Sequence, residues 1–183
     1  RNFQSRHRLS VTGYVDLTTW KTMGYSEYDW YNLGTYRTPM KVTYTSNRQD
    51  RINAMIQTAI DYKNAGTGYK VGCSGTPGSY VDCSGLIYQC LYAAGINPSS
   101  NIAIHEYTSV NLAADDRLGR SVDSNSLQRG DLVFYGKNGK NSVAHVAIYA
   151  GNGMIYDSWP GRGVTYRSVN IGGYHVVRAR RVF

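Results

Sequence analysis

The chain has 183 residues, 42% of them hydrophobic and 17% charged, a balance that excludes a disordered segment and fits one domain, or one domain with an appendage. Twenty Lys and Arg against twelve Asp and Glu give a net charge of +8, which suits a polyanionic setting such as nucleic acid or an anionic cell wall. The cations are scattered, with one cluster at Arg178, Arg180 and Arg181 that reads as a solvated strand face. No nucleic-acid-binding signature accompanies them, and no apolar run reaches the ~20 residues of a membrane span.

The first residue is Arg1 and not Met, so a processed or partial chain is expected, with any signal peptide upstream. Within residues 1–24, Asp16 is placed to cap a helix that starts at Leu17 and turns Trp20 and Met23 inward. The segment is too short to bury a core alone. It resembles the C-terminal half of the small helical peptidoglycan-binding domain through Phe3-Gln4, Leu9, Val11-Thr12-Gly13, Asp16 and Thr19-Trp20, and is expected to be a remnant of one. Residues 25–46, rich in Tyr, Thr, Asn and Gly, read as a linker or irregular segment.

The third unit spans 47–183. A helix is expected over 47–63, with Ile52, Met55, Ile56, Ala59 and Ile60 on one face. A glycine-rich loop, 64–81, leads into a second helix over 82–94, whose buried face is Leu86, Ile87, Cys90 and Leu91 and whose stop is Gly95. From Gly130 the pattern changes to strands at 132–135, 143–149, 154–158, 164–168 and 176–182, with hairpin turns at 137–141 and 151–153. Helices followed by strands give an α+β domain, an antiparallel sheet packed on helices. The 17 tyrosines suit a groove for sugars or peptides as well as they suit plain compositional bias.

Of the cysteines Cys73, Cys83 and Cys90, at least one is free in a monomer because the number is odd. Cys90 lies on the apolar helix face and fits an inert buried thiol. Cys83 sits where a glycine-rich loop becomes a helix, so the helix dipole predicts a lowered pKa. Asp82 and Ser84 are placed to cap the first-turn amides, which are also able to bind an oxyanion. A thiolate nucleophile needs a base. Among His7, His105, His145 and His175, His145 opens an apolar strand and is either a satisfied core histidine or a placed base; the cysteine at a helix start favours the second. Asp157 follows across a turn and is either the group that orients His145 or a surface carboxylate. His105-Glu106 lacks the second histidine of a zinc-protease helix, and no Cys-x-x-Cys pair is present for a structural zinc.

Taken together, these segments resemble the NlpC/P60 cell-wall peptidases. The matching pieces are Tyr69 in Gly68-Tyr-Lys-Val-Gly72, Asp82-Cys-Ser-Gly85, Gly130-Asp-Leu-Val-Phe134, and His145-Val-Ala-Ile-Tyr149 leading to Gly151-Asn-Gly-Met-Ile155. The resemblance implies a papain-like α+β fold with a sheet of five to six strands. It also implies a peptidoglycan endopeptidase that cuts the stem peptide after γ-D-glutamyl, next to a diamino acid. Cys83 would be nucleophile, His145 base, Asp157 the orienting group, and Tyr69, Ser84 and Asp82 the oxyanion or substrate contacts, with no metal or cofactor. The expected setting is extracellular or wall-associated, with peptidoglycan and the anionic wall as partners and a monomer as the acting form. The family more often carries His or an amide at the position of Asp157, and Gly at that of Cys73. A Cys73–Cys90 disulfide is conceivable in an oxidising compartment. Two other readings stay open: an acyltransferase or amidase using the same site, and a wall-binding module without activity.

Overall fold

In a computed structural model of the chain, the described residues are 1–25, 27, 36–98 and 108–183. His105 and Glu106, and most of the first half of the expected linker, lie outside them.

The N-terminal segment holds two short helices, α1 (Asn2–Arg6) and α2 (Leu17–Thr22). Asp16 caps α2 as expected, its Oδ1 accepting from the Thr19 amide at 2.7 Å. Trp20 and Met23 do not form an apolar core. Trp20 stacks on Tyr25, and Met23 is 39% exposed. The centre is instead Gln4, whose amide reaches Thr12 Oγ1, the Tyr14 carbonyl and Thr19 Oγ1 and accepts from the Gly13 amide. With too few apolar residues for a core, a saturated buried amide ties the turn together.

Among the described residues the remaining α-helices are α3 (Arg48–Asn64), α4 (Cys83–Ala93) and α5 (Ser109–Ala114). Asn47 and Asp50 close a capping box at the start of α3, worth about 1 kcal/mol. The expected apolar face of α3 is buried at Ile52, Met55, Ile56 and Ala59, with Ile60 partly covered. In α4, Leu86, Ile87, Cys90 and Leu91 are fully buried.

Among the described residues eight strands follow: β1 (Gly68–Tyr69), β2 (Tyr80–Val81), β3 (Arg120–Ser121), β4 (Leu132–Lys137), β5 (His145–Gly151), β6 (Met154–Trp159), β7 (Gly163–Ser168) and β8 (Tyr174–Arg181). The first two form a small parallel pair, and the rest form an antiparallel sheet ordered β3-β8-β4-β5-β6-β7. The α+β class and the sheet of six strands agree with the sequence. Alternation divides β4, β5 and β6 cleanly. Leu132, Phe134, Val146 and Ile148 pack on α3 and α4, while Val133, Tyr135, Ala147 and Ile155 form a second cluster on the opposite face.

The basic cluster on β8 is a solvated face only in part: Arg178 is exposed, whereas Arg180 and, less completely, Arg181 are covered. Arg180 is 2% exposed and donates to the carbonyls of Ala113 and Gly119 and to Asp116. Arg178 also bonds the Ala113 carbonyl, and Arg181 pairs with Asp131. These guanidinium groups fasten α5 and residues 116–131 to the sheet, because multi-donor planar groups satisfy several loop carbonyls at once. Several tyrosines are likewise structural: Tyr62 donates to the Gly75 carbonyl and Tyr135 to the Val169 carbonyl.

Candidate active site

The site is assembled where the start of α4 meets the start of β5. Asp82 caps α4: its Oδ1 accepts from the Gly85 amide at 2.7 Å and from the Ser84 hydroxyl at 2.8 Å, and its Oδ2 from the Gly72 amide at 2.7 Å. One carboxylate thereby ties the helix start to the glycine-rich loop. The Ser84 hydroxyl bonds Asp82 and not a first-turn amide. Gly85 is required by space: a Cβ there would lie 2.2 Å from the Cys73 carbonyl oxygen, so the loop backbone is able to cross the first turn of the helix.

Cys83 is 9% exposed, and the backbone amides of Val146 and Ser84 approach its sulfur. Because Val146 follows His145 in the chain, the thiol lies against the first peptide of β5. The expected lowering of its pKa is not found. Burial, and then the Asp82 carboxylate, push the Cys83 thiol up to about 12 against the relief given by those two amides. The free protein therefore holds a neutral thiol and not a preformed thiolate. Alkylation by iodoacetamide is expected to be slow between pH 6 and 8 and to climb steadily with pH through 9. A flat, fast plateau at pH 6–8 would instead show a resting thiolate–imidazolium pair.

His145 and Asp157 come together as the hairpin β5–β6 predicts. Register pairs Ile148 with Tyr156 and Tyr149 with Ile155, so residues 145 and 157 emerge on the same sheet face. His145 Nε2 and Asp157 Oδ2 are 2.7 Å apart, and the two side chains are 5% and 0% exposed. Asp157 is no surface carboxylate. Burial alone would raise its pKa, but hydrogen bonds from His145, Arg167 and Thr165 outweigh it and hold the carboxyl below its usual range. An ionised carboxylate only accepts, so Nε2 carries the hydrogen and Nδ1 is left as the basic nitrogen.

Sequence reasoning missed the other half of this cluster. Thr165 donates to Asp157 Oδ1 at 2.6 Å, and Arg167 brackets both carboxylate oxygens with Nε at 3.2 and 3.1 Å and places Nη2 on Oδ2. The guanidinium lies 4.1 Å from the centre of the Trp159 ring, and Trp159 meets His145 edge-on at 4.8 Å. The signal available was the pairing of β6 with β7, which sets Thr165 opposite Asp157. Arg167→Met should raise the pKa of Asp157, because one of the groups lowering it is gone. The acid limb of a pH–activity profile would then move to higher pH, and Arg167→Lys would return part of that shift.

Tyr69 borders the same region. Burial, then Cys83 and Asp82, raise its hydroxyl to about 12, so it remains a donor at neutral pH. Cys73, Cys83 and Cys90 are all free; Cys90 is fully buried in the helix-side core while Cys73 is partly exposed in the loop. Among the described residues no group of three or more His, Cys, Asp or Glu side chains is placed to hold a metal ion, and no helix is long and apolar enough to cross a membrane.

The NlpC/P60 family profile matches residues 66–181. The chain is 35% identical over 103 residues to a gamma-D-glutamyl-L-lysine dipeptidyl-peptidase of Bacillus cereus, covering 55% of this chain and 28% of that protein. It is 33% identical over 124 residues to a murein DD-endopeptidase of Escherichia coli, covering 64% of this chain and 41% of that one. It thus spans less than half the length of these curated relatives. A solved NlpC/P60 family structure from Bacillus cereus superposes with a TM-score of 0.54 at 30% identity, over 68% of this chain and 40% of the other. The match covers the cysteine loop, α4 and the main sheet from β3 to β8, and on it the chain belongs to the NlpC/P60 family.

Proposed function

We propose that the chain is a thiol peptidase acting on the stem peptide of peptidoglycan, with residues 47–183 as the catalytic unit, working outside the cell or at the wall. The observation that carries this reading is the arrangement of three groups. A buried thiol lies at a helix start, a histidine's Nε2 faces a buried ionised carboxylate at 2.7 Å, and the residue after that histidine touches the sulfur.

In this reading His145 Nδ1 takes the Cys83 proton as the sulfur attacks the amide carbon, because the thiol is neutral at rest. Asp157 holds the imidazole in the required tautomer and stabilises the imidazolium that forms. The tetrahedral oxyanion meets the free first-turn amides of α4, with the Tyr69 hydroxyl as a further donor. Protonation of the leaving amine by His145 yields a thioester, and water activated by the same nitrogen releases the acid. Asp82 acts mainly by shaping the helix start, and Ser84 by supporting Asp82.

The two curated relatives carry names that refer to different bonds, a γ-D-glutamyl–lysine bond and a D,D bond. We assign the first to this chain, in keeping with its resemblance to the first of them. The assignment is tested on the defined tetrapeptide L-Ala-γ-D-Glu-L-Lys-D-Ala. Release of L-Ala-γ-D-Glu and L-Lys-D-Ala supports it, intact tetrapeptide removes it, and release of free D-Ala from the pentapeptide extended by a second D-Ala moves the cut to the D,D bond. Transfer of the acyl group to an added amine in place of water would mark an acyltransferase. The assembled Cys83, His145 and Asp157 speak against a binding module without activity.

A further inference from the structure

We propose that an open cavity at the β7 edge binds a carboxylate-bearing part of the substrate peptide, a proposal that rests on the stem-peptide reading above. The cavity has a volume of about 580 Å³ and lies between the end of α3, β1 and the β6–β7 turn. Its lining includes Lys63, Thr67, Tyr69, Arg162, Thr165 and Tyr166, and contains no acidic residue. Lys63 and Arg162 are both exposed. Neither forms an ion pair among the described residues, so both ammonium and guanidinium are free to meet an anion.

Main-chain geometry adds a reason for a peptide ligand. Val164 donates its amide outward to the Thr67 carbonyl at 2.9 Å and not to β6. Strand alternation then turns the N–H and C=O of Tyr166, two residues on, toward the same open edge. An extended peptide is able to pair there and continue the line that Thr67 begins. The close approach of Thr67 depends on Gly163, where a Cβ would lie 2.2 Å from the Thr67 carbonyl oxygen. The Tyr166 ring is 44% exposed beside this edge.

The cavity is continuous with the catalytic cluster through two of its walls. Thr165 bonds Asp157, and Tyr69 is close enough to Cys83 for the cysteine to help raise the tyrosine hydroxyl. Because Tyr69 lines the cavity and also borders Cys83, a substrate held at the thiol is able to extend toward the cations. A γ-linked glutamyl residue leaves its α-carboxylate free, and the peptide's C-terminus supplies a second carboxylate. Lys63 and Arg162 thus make the site selective for acid over amidated stems.

The test uses the tetrapeptide L-Ala-γ-D-Glu-L-Lys-D-Ala in three forms: unmodified, amidated at the glutamyl α-carboxyl, and amidated at the C-terminus. The wild-type protein should show KM raised about tenfold by one of the two amidations, and which one identifies the carboxylate. The double variant Lys63→Gln/Arg162→Gln should lose that preference, cutting acid and amide forms with the same KM; both positions are exposed, and a thermal melt checks that the fold is kept. Equal KM for all three peptides in the wild type, or an unchanged preference in the double variant, overturns the proposal. Binding of the unmodified peptide to Cys83→Ala protein is followed by amide NMR shifts at Thr67 and Tyr166. If no peptide is cut while those shifts still depend on Arg162, the peptidase reading fails and the anion site stands. If cleavage occurs with neither shift, the reverse holds.

Discussion

Replacing Cys83 by alanine is expected to remove peptide cleavage by ~10⁴-fold or more while leaving the fold intact. The sulfur is the only group at the start of α4 able to form the acyl intermediate, since the neighbouring Ser84 hydroxyl is held by Asp82 at 2.8 Å. The truncation itself is small. It frees the amides of Val146 and Ser84 and takes one sulfur from the helix-side core, whose members Leu86, Ile87, Cys90 and Leu91 are kept. A shift in Tm of no more than roughly 2 °C should accompany the loss. Cys83→Ser is expected to be nearly as inactive, because a hydroxyl is a far weaker acid than even this raised thiol. Loss of activity together with gross loss of helical signal would mean that the cysteine acts structurally.

Asp157→Ala combines the second-largest loss of activity with a clear loss of stability. The carboxylate accepts from His145, Thr165 and Arg167 and is fully buried. Its removal leaves a guanidinium and an imidazole without their acceptor. Breaking such a pair costs about 2–3 kcal/mol, at the lower end because Arg167 keeps some exposure, or roughly 5–10 °C in Tm. Activity should fall ~10³-fold as His145 loses both orientation and charge support. Asp157→Asn separates the two effects. Its oxygen is able to keep the His145 and Arg167 bonds while its amide faces Thr165, whose hydroxyl rotates to accept. Orientation survives and charge does not, so a loss of ~10–10²-fold is expected. The pH dependence has a definite sign. Asp157 has a depressed pKa in the folded protein, so it contributes stability above its unfolded value of ~3.9. That contribution is lost as pH falls through the folded value. Asp157→Asn should therefore flatten the acid side of the stability curve.

The proposed catalytic groups were legible because their chemistry is local. A cysteine after an N-cap aspartate at a loop-to-helix junction, and a histidine opening an apolar strand, are visible without knowing the fold. Asp157 could be proposed because a short hairpin links it to His145, and its burial follows from the sheet. Two features were not legible. The raised Cys83 thiol reflects burial against β5 and the orientation of Asp82, both tertiary. The roles of Arg167 and Arg180 depend on which strand pairs with which: alternation marks a strand face but not what covers it. The same holds for the N-terminal segment, where apolar Trp20 and Met23 suggested a core that the polar Gln4 supplies.

The most direct test is digestion of purified peptidoglycan by the protein and by its Cys83→Ala variant, with the released fragments identified by mass. Soluble peptides that begin at the diamino acid, with L-Ala-γ-D-Glu left on the glycan, seen with the wild type alone, are the predicted result. Sedimentation of both proteins with the wall and release of nothing by either would contradict the peptidase reading and leave a wall-binding module in its place.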